Sequence, residues 1–141
     1  MKPEERGSEA LNALVVGVGI CMVMAVLFMA GRLVVAWSAV EAAAAEAARA
    51  ASIARTQVQA NAAAAAGAEA TLAGQDLTCS STDVDVDTTG FAAPPGTPAT
   101  VEATVSCTVP LSDLAVGALP IPGSRTITAT MSSPIDTYRE H

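Results

Sequence analysis

Two periodicities divide the chain. A short polar leader gives way at Ala10 to a run that continues to Gly31 without a charge, with Asn12 as its only strongly polar side chain. At about 1.5 Å per residue the run reaches roughly 33 Å, enough to cross a hydrocarbon core of about 30 Å. The pattern predicts a membrane-spanning helix. Trp37 to Ala73 follows with no proline and a dominance of alanine, the best intrinsic helix former. The helix is therefore expected to continue out of the membrane, from near Glu9 to near Ala73, for about 98 Å. Gly67 is a candidate weak point, and Gly74 a candidate cap. Glu46 and Arg49 stand three apart, a spacing that allows a weak surface pair.

The period then changes from helical to two. Val101, Ala103, Val105, Cys107 and Val109 alternate with Glu102, Thr104, Ser106 and Thr108, as in a half-buried strand. Ile127, Ala129 and Met131 alternate with threonines in the same way, and Val84 and Val86 alternate with Asp83, Asp85 and Asp87. "GFAAPPGTP" from Gly90 and "LPIPG" from Leu119 are proline-rich connections. The fold class predicted is α+β: one long N-terminal transmembrane helix, extended by an alanine-rich helix and followed by a small antiparallel β-sheet domain. The boundaries are 8–38 for the transmembrane helix, 39–75 for the alanine-rich extension and 76–141 for the β domain.

A helix of that length cannot bury itself alone. Its alanines leave the outer part smooth and narrow, so that neighbouring helices can approach closely, as small residues allow inside membranes. The competing explanation is that alanine is merely frequent in the encoding genome. No large apolar stripe of the kind expected on a helix packed against a globular core accompanies them.

Composition and charge narrow the setting. The chain has 141 residues, 51% of them hydrophobic and 15% charged, too apolar for a disordered chain. The formal net charge is −7, with the acids concentrated in the second half, which makes nucleic acid an unsuitable partner. A cleaved secretory signal requires an apolar stretch of only about 7 to 15 residues. The run here is longer, although small residues suited to cleavage follow Trp37. A lipoprotein signal is disfavoured because Ile20 precedes Cys21 deep inside the run. An uncleaved anchor is the leading reading, with Lys2 and Arg6 before the run keeping the N-terminus in the cytoplasm and the C-terminal domain outside. Arg32 beyond the run can snorkel to the far interface.

Of three cysteines, Cys21 lies in the apolar run, which leaves Cys79 and Cys107 as the natural pair. A bridge between them fits an extracytoplasmic domain, and closing that loop contributes about 3.6 kcal/mol by the chain-entropy estimate. The alternative is two buried thiols. Cys79 shares parity with the aspartates of its strand whereas Cys107 shares parity with buried valines, so a bulge or break is expected between Cys79 and Val84.

Candidate chemistry is sparse. Asp83, Asp85 and Asp87 resemble the opening of a calcium loop, but Thr88 stands where glycine is required and Pro94 where the bidentate glutamate belongs. A solvated acidic face is the stronger reading. His141, the sole histidine, is the last residue of the sequence and a poorly held base. No phosphate-binding glycine loop, metal-ligand set or strained serine elbow is present, so no catalytic residue, cofactor or metal ligand is assigned and an enzyme is not expected.

The junction carries a further signal. "ERGSEALNALVV", followed by "FMAGRLVVAWSAVEAAAAEAARAASIART", resembles the N-terminal region of TadE-like proteins, pilin-like minor components of the tight-adherence pilus system. The matching positions are Arg6, Gly7, Ser8, Gly31 and Arg32, with Trp37 and the stretch from Glu41 to Ala51 following. The second half is more loosely similar to actinobacterial members, through its two cysteines, its "GFAAPPGTPATV" connection and its threonine-rich final strand.

The resemblance implies a pilin-like lollipop whose residues 1–7 form a prepilin-type leader, removed by a prepilin-type peptidase between Gly7 and Ser8. It implies a structural or assembly subunit whose partners are other pilin-like subunits, the pilus assembly machinery and membrane lipid, with a surface appendage as a destination. Pilins usually place a carboxylate fifth after cleavage; here Asn12 holds that place and Glu9 stands second. Glu9 is either an interfacial cap at the positive end of the helix or a partner for the terminal amine of an adjacent subunit. The alternative function is a surface binding module, a permanently anchored extracytoplasmic β domain.

Overall fold

The computed structural model describes residues 3–114 and 122–136, with side chains from Ser8 onward. Its class is α+β. Helix α1 (Pro3–Ile53) is followed by α2 (Gln57–Gly74), and then by strands β1 (Ser81–Asp87), β2 (Ala99–Pro110) and β3 (Ser124–Ile135). A one-turn 3-10 helix (Thr89–Ala92) lies between β1 and β2, and a short α3 (Leu111–Leu114) follows β2 directly. The strands form one antiparallel sheet in the order β1-β2-β3.

The expected continuous helix is broken. At Ala54–Thr56 the chain leaves α1, and Thr56, with extended backbone (φ −133°, ψ 155°), caps α2 by accepting a hydrogen bond from the Gln59 backbone N–H at 3.2 Å. This is half of a capping box, whose sequence form is Ser/Thr-x-x-Glu/Gln. Thr56-Gln57-Val58-Gln59 fits that form, and alanine content concealed it. Helix α2 then returns alongside α1: Gly67 lies against Glu46 and Ala50, and the segment after α2 reaches Arg32 to Ala36. The alanine-rich region is thus an antiparallel helical hairpin.

The alanines form the buried stripe. Ala36, Ala39, Val40, Ala43, Ala44, Ala47, Ala48 and Ala51 of α1 are all buried, as are Ala60, Ala64, Ala68 and Leu72 of α2. At about 100° per residue the α1 set covers roughly half the helix circumference, because α1 is covered on two sides. The side bearing Ala50 meets α2, while Ser52 reaches Ser133 of β3. Two backbones and a sheet can converge on one helix only where side chains are small. The volume comes from the sheet, where Val101, Val105, Cys107, Val109 and Ile127 are fully buried. The absence of large residues on the helix is therefore no sign that it lacks a core.

Helix α1 packs beneath β2 and β3, and α2 beneath β1, giving a two-layer head. The strand parities hold: Val84 and Val86 are half-buried beneath exposed Asp83, Asp85 and Asp87, and every second residue of β2 from Val101 is buried. In β3, Ile127 and Ala129 are buried, whereas Met131, on the same face, is 36% exposed toward the end of the edge strand.

Helix α2 ends on a different residue from the one expected. Gly74 is its last helical residue, and the left-handed position falls to Asp76 (φ 53°). The Asp76 N–H bonds to the Ala73 carbonyl and the Leu77 N–H to the Leu72 carbonyl, each at 3.2 Å. That pair of bonds is a Schellman motif, with Leu72 in the core cluster and half-buried Leu77 packed against that cluster.

Cys79 and Cys107 form a disulfide with a Cα–Cα distance of 5.5 Å. The parity conflict resolves because β1 begins only at Ser81. Cys79 precedes the strand, held by the Ser80 N–H on the Thr108 carbonyl at 2.7 Å, and is free to turn inward.

Candidate functional site

Three surfaces follow from this arrangement. The first is the N-terminal half of α1, which is exposed from Ser8 through Phe28 and carries a stretch long and apolar enough to cross a membrane. Leu11, Leu14, Val15, Ile20, Met22 and Leu27 are each at least 60% exposed, an apolar cylinder that water alone would not support. Cys21 is a free, exposed thiol on this cylinder. The head clasps only the distal half of the helix, with Met29 and Leu33 half-buried at its lower edge.

The junction residues lie at the other end. The backbone is helical from Pro3, so Gly7 and Ser8 are inside α1, with Ser8 exposed. A proline in the first helical turn forfeits no helical hydrogen bond. Glu9 and Asn12, both exposed and three residues apart, share one face. Because the helix begins at Pro3, Glu9 occupies its second turn in the uncut chain, away from the first-turn amides that a capping carboxylate would satisfy. Scission between Gly7 and Ser8 would place Glu9 at the start of the helix.

The second surface is the outer face of the sheet. Three hydroxyl pairs link β2 to β3 there: Thr104 with Thr130 at 2.9 Å, and Ser106 with Thr128 and Thr108 with Thr126 at 3.0 Å. Asp83 and Asp85 stand opposite Ser106 and Thr104, and Asp87 faces Glu102 across the β1–β2 ladder. Alternate residues of a strand are about 7 Å apart, so the three aspartates cannot converge on one ion. Among the described residues, no group of three or more His, Cys, Asp or Glu side chains is placed to hold a metal ion.

Asp87 instead starts the turn that follows. Its carboxylate accepts the Thr89 backbone N–H at 2.9 Å. This bond, supported by one from the Thr89 side chain, holds the Asp87 pKa below the usual aspartate value of 3.8. Gly90 follows because the chain passes directly over the backbone of β2, where a Cβ would collide with the Thr100 carbonyl oxygen.

The third surface is a groove at the base of the head, between α1 and the segment following α2. His141 lies outside the described residues. Comparison with protein-family models, curated proteins and solved structures returns no match.

Proposed function

We propose that this chain is a pilin-like structural or assembly subunit of a tight-adherence type pilus or secretion system, anchored in the cell membrane by the N-terminal half of α1. The observation that supports this most directly is the division of α1 between two environments. Its first half is an exposed apolar cylinder preceded by the Arg6-Gly7-Ser8 junction, and its second half is the central element of a disulfide-linked head. A helix that is both anchor and core transmits the position of the head to whatever packs around the span.

In this reading the N-terminus is cytoplasmic and the head extracytoplasmic, the side on which the Cys79–Cys107 bridge is stable. A prepilin-type peptidase cuts between Gly7 and Ser8. The new amine and Glu9 then lie one residue apart at the helix start, where the carboxylate meets the positive end of the dipole or the amine of a neighbouring subunit.

Intact mass spectrometry of the chain recovered from membranes of a host carrying a prepilin-type peptidase tests this. The expected mass is that of residues 8–141, and Gly7→Leu should retain the full mass while still inserting. A wild-type chain that keeps its first seven residues would instead favour the permanently anchored surface binding module.

A further inference from the structure

The groove at the base of the head encloses about 860 Å³. Phe28, Val35 and Ala36 of α1 form one wall, and Leu77, Val109 and Leu114 the other. Its rim is charged asymmetrically, with Arg32 on the α1 side and Asp76 and Asp113 on the head side. The Arg32 guanidinium lies 5.9 Å from the centre of the Phe28 ring. Neither rim carboxylate forms an ion pair with Arg32 within 4 Å.

The height of this groove is fixed by the span. The uncharged run ends at Gly31, and Arg32 is the first charge beyond it. With the run occupying the hydrocarbon core, the headgroup layer lies at Arg32 and cuts across the groove. Leu27 and Phe28 then belong to both the lipid-facing cylinder and the groove lining, so its apolar wall is continuous with the bilayer interior.

The chemistry at that height specifies its occupant. An acyl chain matches the apolar wall, and a phosphate matches an unneutralised arginine. The two carboxylates oppose a purely anionic headgroup and favour one that carries a cation beyond its phosphate. We infer that the groove binds a membrane glycerophospholipid with an amine-bearing, zwitterionic headgroup, with phosphate at Arg32, ammonium at Asp76 and Asp113, and one acyl chain along Phe28. This inference rests on the membrane anchoring proposed above, and names the lipid that the anchored head selects.

The test uses the full chain reconstituted in vesicles containing equal amounts of dioleoyl phosphatidylethanolamine and dioleoyl phosphatidylglycerol. After release into mild detergent, native mass spectrometry reads the lipid retained. Phosphatidylethanolamine should be retained over phosphatidylglycerol by up to about fivefold, the ratio given by an exposed ion pair. Arg32→Gln should abolish the retention, and Val35→Trp, at an exposed position, should lower it by filling the groove. Asp113→Asn should shift the ratio toward phosphatidylglycerol. Circular dichroism of each variant must match the wild type, and Arg32→Gln serves if Val35→Trp fails to fold. A photoreactive phosphatidylethanolamine should label Leu77 or Leu114 on the head side of the groove. Equal retention of the two lipids, or labelling confined to the span, overturns the groove assignment while leaving anchoring intact. So does protection of the groove by residues 115–121 or by a second copy. Extraction of the chain from vesicles by alkaline carbonate overturns the anchoring itself, and the groove assignment with it.

Discussion

Ser133 on β3 donates its hydroxyl to Ser52 Oγ on α1 at 3.1 Å, and Ser52 in turn donates to the Arg49 carbonyl at 2.8 Å. Ser52 is the one buried polar side chain among the described residues, and this relay satisfies it as both donor and acceptor. Its place at the helix–sheet contact fixes the height of β3 along α1.

Ser52→Ala should therefore cost about 1 kcal/mol, the usual net contribution of one hydrogen bond, without altering the fold. Half-buried Ser133 can turn to water, which limits the loss. Chemical denaturation in detergent, followed by circular dichroism, reads the change, and an unaltered midpoint would refute the assigned role.

Glycine to alanine should act in opposite directions at two positions. At Gly67 the added Cβ meets Ala50 Cβ at 3.5 Å, ordinary contact, so Gly67→Ala should stabilise the hairpin by about 0.5–1 kcal/mol through helix propensity. At Gly90 the Cβ meets a backbone oxygen that cannot swing aside, so Gly90→Ala should destabilise by about 1–3 kcal/mol or more. Thermal unfolding of the two variants in parallel decides the pair, and shifts of the same sign would contradict the packing described.

Cys107→Ser should destabilise the head by roughly 2–5 kcal/mol. The damage should extend beyond the sheet, because α2 buries its apolar stripe only in the two-layer head. Limited proteolysis should open sites from Gln57 onward and leave the N-terminal half of α1 as the resistant membrane fragment. Uptake of a thiol reagent at both Cys79 and Cys107 in protein isolated without reductant would contradict the bridge.

Asp87 gives the head an acid-sensitive turn. Its folded pKa lies below its unfolded value, so the carboxylate contributes stability above the usual value of 3.8 that is lost as pH falls through the lowered folded value. Carboxyl-carbon NMR should place its midpoint below 3.8, and Asp87→Ala should remove that acid-dependent component. A midpoint at or above 3.8 would exclude the Thr89 bond as a lasting feature.

Strand positions were legible because burial on one face imposes a two-residue alternation that few other structures produce. The apolar span was legible from its length. The hairpin was not, since alanine satisfies a buried interface and a solvent-exposed helix equally well, leaving Thr56 and Gln59 as the only local sign of a new helix start. The cap at Asp76 was hidden for a related reason: glycine is the usual left-handed residue, and Gly74 stood two positions too early. Of the junction, the residues Gly7, Ser8, Glu9 and Asn12 were readable only through resemblance, because the chemistry proposed for them depends on a cut and on neighbours outside a single chain.

The neighbour-to-neighbour strand order also sets a timetable for biosynthesis. As the chain emerges, α1 can fold against α2 within 75 residues, and each strand pairs with the one made just before it. The sheet-facing flank of α1 is covered fully only when β3 arrives, near residue 135. Until then a growing chain presents a strip of alanines and an open valine-lined strand to its surroundings, the kind of surface that draws misassembly. Any pause in synthesis that falls between Pro110 and Ser124 would hold the chain in that uncovered state, making the α3–β3 connection the point at which a delay does most harm.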